Sequence, residues 1–427
     1  MQTATPMRHD TNMRHNFIVN VMDAAFFGLG MGFASYVTVL PLFVGTLTSS
    51  TLLIGLIATI HEIGWQLPQI LTSARVSRLP LYRRMVLLMT LHERWPFLAL
   101  AIVALLATVL DARLVLILTL IFTAWQSLGG GLTATAWQSM IGKIMPATVR
   151  GRFFGLQSSA SNLLTSGGAV LAGILLGVLP YPYNFAACFG IASVGMAISF
   201  AFLAQTREQK RAVTQTEPAN WQVFRREAGA VLRDDANFRW FILARILSQF
   251  ARMAIAFYTI YATRTFDITP EFAGIITGIL SLTQMFASPV VGWLGDRFGH
   301  RLVLAGGMTL MVCSVVLAIT ATTQEWFYVI FALTGMANAV QWTSMLAITV
   351  EFGTEENRAY YIGLSNTIIA PATLIAPLIG GWLADTAGFA SAFSVSIVGG
   401  ILAIAVLLLF FRNPVSRKKK PDELVTA

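Results

Sequence analysis

Apolar residues fall in long blocks of about twenty along the whole chain, separated by short polar segments. A helix that rises ~1.5 Å per residue needs ~20 residues to cross ~30 Å of hydrocarbon, so these blocks have the length of membrane-spanning helices. The pattern predicts an all-α membrane protein with twelve transmembrane helices. The predicted spans lie near residues 17–44, 51–71, 85–108, 114–142, 153–179, 184–204, 238–262, 272–294, 302–320, 326–350, 360–384 and 388–411.

One long polar stretch interrupts this pattern near the middle of the chain. We therefore predict an N-terminal six-helix half (1–204), a cytoplasmic linker (205–237) and a C-terminal six-helix half with a basic tail (238–427). Within the linker, the segment from Trp221 to Leu232 contains both apolar and charged residues. This segment is expected to form an amphipathic helix on the membrane surface.

Composition and charge agree with a membrane protein and give its direction. Of the 427 residues, 56% are hydrophobic and 11% are charged, whereas soluble domains contain ~25% charged residues. If the N-terminus is cytoplasmic, 24 of the 29 Lys and Arg lie in inside loops and tails, and two, Arg113 and Arg264, lie outside. This asymmetry predicts a protein of the cell membrane with both termini in the cytoplasm.

The net charge of +9 would suggest nucleic acid for a soluble chain, but here it follows from this topology. The tail Arg417-Lys418-Lys419-Lys420 either contacts anionic lipid head groups or serves only as an orientation signal. We expect a bilayer-embedded monomer without a nucleic-acid partner.

A short pattern recurs in the two halves. Arg150, Gly155 and Leu156 follow the fourth predicted span, and Arg358, Gly363 and Leu364 follow the tenth at a constant offset of 208 residues. Both copies lead from a predicted cytoplasmic loop into a span. Duplicated halves are common in secondary transporters.

The loop between predicted spans eight and nine carries a dense motif of glycines and charges. Its key residues are Gly292, Asp296, Arg297, Gly299 and Arg301. This loop resembles the G-x-L-x-D-R-x-G-R-R/K signature of the major facilitator superfamily. The resemblance implies twelve helices in two pseudo-symmetric six-helix bundles, transport by alternating access, and a conformational latch at this loop. Asp296 is expected to cap or face the N-terminus of a neighbouring helix.

Other family motifs are only partly present. The loop between spans two and three, residues 72–84, keeps its basic residues but lacks the acidic residue and the glycines. Any latch is therefore expected to rest on Asp296. Gln126 occupies the place of the span-four arginine found in proton-driven members, and a near match to the antiporter motif, Ala376 to Gly381, lies in span eleven rather than span five.

Ionisable residues inside predicted spans are the best clues to mechanism, because each one needs a partner or a water-filled cavity. Structural charge pairing is expected for Glu62, Glu93, Arg94 and Arg245, with Glu62 and Arg94 matched in depth as a pair. Asp23 and Glu62 are also candidates for proton coupling, since a carboxylate removed from water can bind a proton; for Asp23 the alternative is a salt bridge with a neighbouring arginine.

Predicted span seven carries polar residues on one helical face, because Arg245, Gln249 and Arg252 recur at i, i+4 and i+7. Two guanidinium groups and an amide suit a carboxylate or phosphate on a solute, although Arg252 could equally pair with Asp23. Polar and aromatic residues in other spans complete the set of substrate-binding candidates: Arg252, Gln249, Gln126, Trp125, Asn162, Tyr258, Gln284, Asn338, Gln341 and Asn366.

These features predict a secondary transporter of a small organic solute, with proton-coupled export of an amphipathic or anionic compound favoured over proton-coupled nutrient uptake. Alternatives of another class are a membrane-embedded enzyme and a non-transporting receptor. No enzyme, cofactor or metal site is predicted, since neither His61-Glu62 nor His92-Glu93 belongs to an H-E-x-x-H motif and no Walker loop is present.

Overall fold

The computed structural model describes residues 5–48, 50–211, 221–268 and 270–414. These residues are almost entirely helical and contain no β-strand. Helices suit a bilayer because they satisfy every backbone N–H and C=O within one segment.

The helices of the first half and the linker are α1 (Thr5–Phe33), α2 (Val39–Leu47), α3 (Thr51–Gln66), α4 (Gln69–Val76), α5 (Tyr82–Arg94), α6 (Pro96–Leu105), α7 (Ala112–Ile144), α8 (Arg150–Val178), α9 (Tyr183–Leu203) and α10 (Trp221–Asp234). Those of the second half are α11 (Ala236–Arg252), α12 (Ile255–Phe266), α13 (Pro270–Phe298), α14 (His300–Thr320), α15 (Trp326–Glu351), α16 (Arg358–Ala387) and α17 (Phe389–Leu409).

Eleven helical segments among the described residues are long and apolar enough to cross a membrane. The predicted second span is represented by two shorter helices in succession, α3 and α4, which separate at Leu67–Pro68. Proline ends the first helix because it cannot donate the next backbone hydrogen bond. Pro96 accounts in the same way for the division of the third span into α5 and α6.

Two spans differ from the sequence prediction in other ways. The first was expected to run over 17–44, but α1 ends at Phe33 and α2 begins only at Val39. The seventh was expected to be one helix, but α11 ends at Arg252 and α12 begins at Ile255. Backbone hydrogen bonds of three-residue spacing, such as Phe257 N to Ala254 O at 2.9 Å, fill this second break.

The described residues divide into two compact units. Unit 1 comprises those of Met1–Met145, Ala160–Phe224 and Glu355–Thr367, and unit 2 those of Pro146–Ser159, Arg225–Thr354 and Ile368–Ala427. Each unit thus contains the first turns of one helix whose remainder belongs to the other, namely α16 in unit 1 and α8 in unit 2. The predicted division into halves at residues 204 and 238 stays a prediction based on the sequence.

Each unit has its own apolar core. In unit 1, side chains such as Phe43, Phe97 and Phe189 pack α2, α6 and α9 together. In unit 2, aromatic residues such as Tyr258 and Phe327 do the same for α12 and α15. The outer surface is also apolar.

The exposed side of α6 illustrates this surface. Leu98, Ile102 and Leu105, spaced at i, i+4 and i+7, are 52%, 50% and 48% exposed. A continuous apolar stripe of this kind suits contact with lipid rather than with water.

The predicted amphipathic helix of the linker is present as α10. Its Arg225, Arg226 and Arg233 are exposed, while Ala228 and Val231 are buried. Its position on a membrane surface stays a prediction. Linker residues 212–220 and the basic tail 417–420 lie outside the described residues.

Candidate transport site and gating contacts

Glycines of α7 set the spacing of the helices that carry the buried charges of unit 1. A Cβ at Gly129 would lie 2.5 Å from the carbonyl carbon of His92 in α5, and one at Gly131 would lie 2.6 Å from the carbonyl oxygen of Gly64 in α3. Only glycine allows backbones to approach this closely. The Gly129-Gly130-Gly131 run therefore holds α3 and α5 tightly against α7.

A buried ion pair joins three helices of unit 1. Arg94 Nη2 in α5 lies 2.8 Å from Asp23 Oδ1 in α1, and both side chains are 7% exposed. Ser199 in α9 donates a hydrogen bond of 2.6 Å to the same carboxylate oxygen, and Arg94 also donates to Ser199 Oγ at 2.9 Å. These contacts provide the hydrogen bonds that two buried charges require.

The partner of Arg94 differs from the sequence prediction. Glu62 was expected to pair with Arg94, but Arg94 pairs with Asp23 and, at 3.6 Å from Nη1, with Glu93 Oε2. Glu62 lies on an exposed side of α3. The prediction matched Glu62 and Arg94 by their depth along the helices, but it did not take into account the directions of the two side chains. The expected alternative of a salt bridge at Asp23 is the arrangement found.

Gln126 lies in a buried polar cluster rather than on an open surface. Gln126 is 1% exposed, and its Oε1 accepts hydrogen bonds from Tyr36 Oη and from Ser127 Oγ. The ring of His61 stacks on that of Tyr36 with 4.0 Å between centroids. Ser127 Oγ lies 3.5 Å from His61 Nδ1, which closes the cluster.

Trp125 points away from this cluster. It is 40% exposed, and its Nε1 donates to His92 Nδ1 at 3.2 Å. Trp95 meets it edge-on with ring centroids 5.2 Å apart. Because consecutive residues of a helix point in different directions, Trp125 and Gln126 serve different surroundings. Asn162 is half-buried on α8.

In unit 2, polar residues of α11 lie at the end of that helix, where the seventh span is interrupted. Arg245 is buried and its guanidinium lies 5.8 Å from the centre of the Phe241 ring. Gln249 and Arg252, one and two turns further on, are half-buried. The break that follows Arg252 separates this polar end from the aromatic core around Tyr258.

Amides of α15 face the same region of unit 2. Gln341 Nε2 lies 3.4 Å from Ser248 Oγ on α11. Asn338, one turn earlier on α15, occupies the same side of the helix. Within the described residues, the buried atoms Asn338 Oδ1 and Gln341 Oε1 have no hydrogen-bond partner. Two amide oxygens without a hydrogen-bond partner therefore lie on one side of α15, and of these two residues Gln341 contacts α11.

The remaining candidates have other surroundings. Tyr258 is fully buried and shares a hydrogen bond of 2.8 Å with Ser314, so it belongs to the core. Asn366 Nδ2 donates to Gln69 Oε1 at 2.6 Å in unit 1. Gln284 is half-buried on α13, where Gly335 of α15 approaches its backbone. The structure thus places Gln249 and Arg252 near the end of α11 and Gln341 of α15 against Ser248 of α11, and it places Gln126, Tyr258 and Asn366 in separate contacts.

Asp296 lies at the first turn of α8, in unit 2. Its Oδ1 accepts a hydrogen bond of 2.7 Å from Gly151 N–H, and its Oδ2 accepts one of 2.9 Å from Arg152 N–H. The carboxylate side chain is only 2% exposed, and His300 Nε2 and Arg152 Nε each lie 3.7 Å away. A carboxylate at a helix N-terminus satisfies free N–H groups and interacts favourably with the helix dipole.

The other residues of this loop fix its shape. Gly292 touches the backbone of Gly151, since an added Cβ would lie 2.1 Å from Gly151 O. Gly299 has φ +88°, a conformation that side-chain-bearing residues rarely adopt. Arg301 donates through Nε to Leu407 O at 2.7 Å, and Arg297 lies over the ring of Trp293.

Several partners of the candidate residues could not be identified from the sequence. Ser199, Tyr36 and Ser248 bind Asp23, Gln126 and Gln341 respectively. Serine and tyrosine in apolar spans are too frequent to be informative alone, so only the helix arrangement identifies them. Among the described residues, no group of three or more His, Cys, Asp or Glu could hold a metal ion.

Part of the chain is similar to known proteins. Residues 241–426 match the sequence model of the Major Facilitator Superfamily. The chain is 24% identical over 151 residues to the multidrug transporter protein MdtP of Bacillus subtilis (strain 168), across 34% of this chain and 28% of that protein. It is 28% identical over 152 residues to multidrug resistance protein 1 of the same organism, across 34% of this chain and 39% of that protein. The matches therefore span well under half of these relatives.

The fold extends the similarity to most of the chain. It matches the structure of FucP, a major facilitator transporter in the outward conformation, with a TM-score of 0.74. The match covers 92% of this chain and 97% of that chain at 12% sequence identity, so it concerns the fold alone. The second half of the chain thus matches the sequence model of the Major Facilitator Superfamily, most of the chain has the fold of FucP, and the apolar spans are those of a multi-pass membrane protein.

Proposed function

We propose that the protein exports an amphipathic or anionic organic solute from the cytoplasm by alternating access, driven by proton entry. The names of the two multidrug relatives support export, and the distribution of Lys and Arg supports cytoplasmic termini in the cell membrane. In this proposal the sequence halves 1–204 and 238–427 move relative to each other during transport.

The polar residues Gln249 and Arg252 of α11 and Asn338 and Gln341 of α15 are the observation that carries the proposed substrate class. Arg252 and Gln249 provide donors for a carboxylate or phosphate, and a guanidinium binds such planar anions in a bidentate manner. Asn338 Oδ1 and Gln341 Oε1 are acceptors that need a donor, which a hydroxyl, amine or water on the solute side can supply.

The buried ion pair of unit 1 is the proposed proton-coupling element. Arg94 lies between two carboxylates, Asp23 at 2.8 Å and Glu93 at 3.6 Å. If Asp23 binds a proton, its attraction to Arg94 is lost, while Glu93 continues to balance the arginine. Protonation would thus loosen the link between α1 and α5 without leaving a buried positive charge alone. Glu62, on an exposed side of α3, is the second candidate.

Binding can be tested before the solute is known by name. Purified protein is screened for thermal stabilisation by a panel of aromatic carboxylates, aromatic phosphates and amphipathic cations, and the screen is repeated with Arg252→Gln. We expect anionic compounds to stabilise the parent protein and to lose at least about tenfold in apparent affinity in the variant, or ~1.4 kcal/mol.

Arg264→Gln provides the control, because Arg264 is an exposed arginine near the other end of the seventh span and its replacement removes the same charge. Equal affinity in the parent, Arg252→Gln and Arg264→Gln would exclude Arg252 as a binding residue.

A further inference from the structure

Residues 205–211 form the first part of the linker, and they are hydrogen-bonded to other residues of unit 1. We refer to these residues as the linker strap. Asn16 of α1 exchanges two hydrogen bonds of 2.8 Å with the backbone of Arg207. Asn20 donates to Thr206 Oγ1 at 3.1 Å. These hydrogen bonds hold the start of the strap against α1, ahead of Glu208 and Arg211.

Glu208 of the strap caps another helix. Its Oε1 and Oε2 accept hydrogen bonds from Tyr82 N–H at 3.1 Å and Arg83 N–H at 2.7 Å, at the first turn of α5. Lys143, at the end of α7, donates to Glu208 Oε1 at 3.0 Å. The Glu208 side chain is fully buried. Its role at α5 thus parallels that of Asp296 at α8.

Arg211 binds the segment that leads into α16. Nη1 donates to Glu355 O at 2.6 Å, Nε donates to Leu79 O at 2.9 Å, and Nη2 donates to Ser77 O. Tyr82 Oη, beneath the guanidinium, also donates to Glu355 O at 3.1 Å. One arginine of the linker therefore joins the loop before α16 to the loop between α4 and α5.

The two sequence halves repeat several contacts at an offset of 208 residues. These contacts identify the position in the first half that corresponds to Asp296. Gly155 packs against Ser288 O, and Gly363, its counterpart at an offset of 208, packs against Gln69 O. The next pair agrees, because Ser158 contacts Ser288 by a hydrogen bond and Asn366, again 208 residues later, contacts Gln69.

Ser288 and Gln69 are thus equivalent, so Asp296, eight residues after Ser288, is equivalent to Ser77. The first half has a neutral hydroxyl where the second half has the carboxylate that binds the first turn of α8. Ser77 Oγ donates a hydrogen bond to Ala74 O at 2.9 Å and lies 3.4 Å from the hydroxyl of Tyr360 in α16. The charged side chains that make contacts at this end of unit 1 include Glu208 at the first turn of α5, Arg211 on Glu355 O, and Lys143, whose Nζ lies 3.6 Å from Glu355 Oε1.

We propose that the linker strap is a releasable clasp, in which Glu208 fixes the strap to the first turn of α5 and Arg211 holds the loop before α16 onto the α4–α5 loop, in place of the carboxylate missing at Ser77. The proposal rests on the alternating access proposed above. When the cytoplasmic ends of the two sequence halves separate, the first turns of α16 must leave α4, and Arg211 must release Glu355 O. Glu208 and Arg211 are thus positioning residues that set how readily this end opens.

The opening can be measured without a solute. Ser73 is fully buried on α4, and its Oγ faces Gly363 of α16, so a cysteine there reacts only when α16 moves away. A Ser73→Cys reporter is placed in a chain whose two native cysteines, Cys188 and Cys313, are replaced by alanine. The full-length protein in liposomes is treated with N-ethylmaleimide, and the alkylation rate is recorded.

Arg211→Gln is expected to raise the alkylation rate about tenfold, because hydrogen bonds from a charged donor to three carbonyls are weakened. Lys210→Gln is the matched control, since this neighbouring residue is exposed and loses the same charge. Equal rates in Arg211→Gln and Lys210→Gln would overturn the clasp. If Arg211→Gln is not recovered as folded protein, Glu208→Gln takes its place with the same expected acceleration and the same overturning result.

A rescue variant tests the equivalence with Asp296. Adding Ser77→Asp to Arg211→Gln is expected to slow alkylation back toward the parent rate, whereas an unchanged fast rate would overturn the replacement of that carboxylate by the strap. The clasp and the transport proposal fail separately. Faster alkylation in Arg211→Gln without solute flux in the parent protein would support the clasp and contradict the proposed export. Solute flux in the parent protein with unchanged alkylation in Arg211→Gln would support the proposed export and contradict the clasp.

Discussion

Asp296 offers a direct measure of what a single carboxylate contributes to a helix start in this fold. It accepts from two backbone N–H groups, Gly151 at 2.7 Å and Arg152 at 2.9 Å, and its side chain is 2% exposed. In Asp296→Asn the amide keeps the size of the side chain but retains only one acceptor oxygen. Its NH₂ group then faces a backbone N–H that has lost its acceptor.

The magnitude follows from these contacts. A hydrogen bond to a charged group contributes ~1.5–3 kcal/mol, and a carboxylate at a helix N-terminus adds ~0.3–1 kcal/mol through the helix dipole. We expect Asp296→Asn to destabilise the protein by about 2–4 kcal/mol. A stability change of 1 kcal/mol lowers the melting temperature of domains of ~150–250 residues by ~2–4 °C, so a decrease of several degrees is predicted.

The assay is thermal unfolding of purified protein in detergent, followed by tryptophan fluorescence. Asp385→Asn is the control, since Asp385 is an exposed residue near the end of α16 and loses the same charge. A melting temperature of Asp296→Asn that equals that of Asp385→Asn would refute the reasoning, because the two backbone hydrogen bonds would then contribute nothing measurable.

Two further predictions concern close packing and buried charge. Gly292→Ala would place a Cβ 2.1 Å from Gly151 O and should lower the melting temperature and the yield of monodisperse protein, whereas Gly278→Ala, which has open space on the same helix, should be neutral or stabilising by ~0.4–1 kcal/mol. Equal behaviour of the two variants would contradict the close approach of α13 and α8. Arg94→Met should destabilise by ~3–5 kcal/mol because it leaves Asp23 buried without its ion partner, and adding Asp23→Asn should recover part of this loss. A double variant that is no more stable than Arg94→Met would show that Asp23 and Arg94 are not coupled.

The spans were predictable from the sequence because the bilayer dictates their length and composition. Interruptions at Pro68 and Pro96 follow from a residue that the sequence displays, whereas the break after Arg252 has no proline or glycine to announce it.

The candidate site shows the same limit. The position of Asp296 beside a helix start could be anticipated, because the motif places an acid and glycines in a short loop. The partner of Arg94 could not, since depth along two helices leaves their rotation undetermined, and Asp23 lies 71 residues away in sequence. The strap residues Glu208 and Arg211 looked like ordinary charges of a polar linker until their contacts with α5 and Glu355 were known.

The most direct test of the transport account is solute-coupled proton movement in liposomes that contain the purified protein. An anionic solute that stabilises the protein is loaded on one side, and an imposed pH gradient is expected to drive it against its own gradient and opposite to the proton flow. Asp23→Asn should abolish this gradient-driven accumulation while downhill exchange continues. Unchanged accumulation in Asp23→Asn would contradict proton coupling at Asp23, and no flux of any stabilising compound in the parent protein would contradict transport itself.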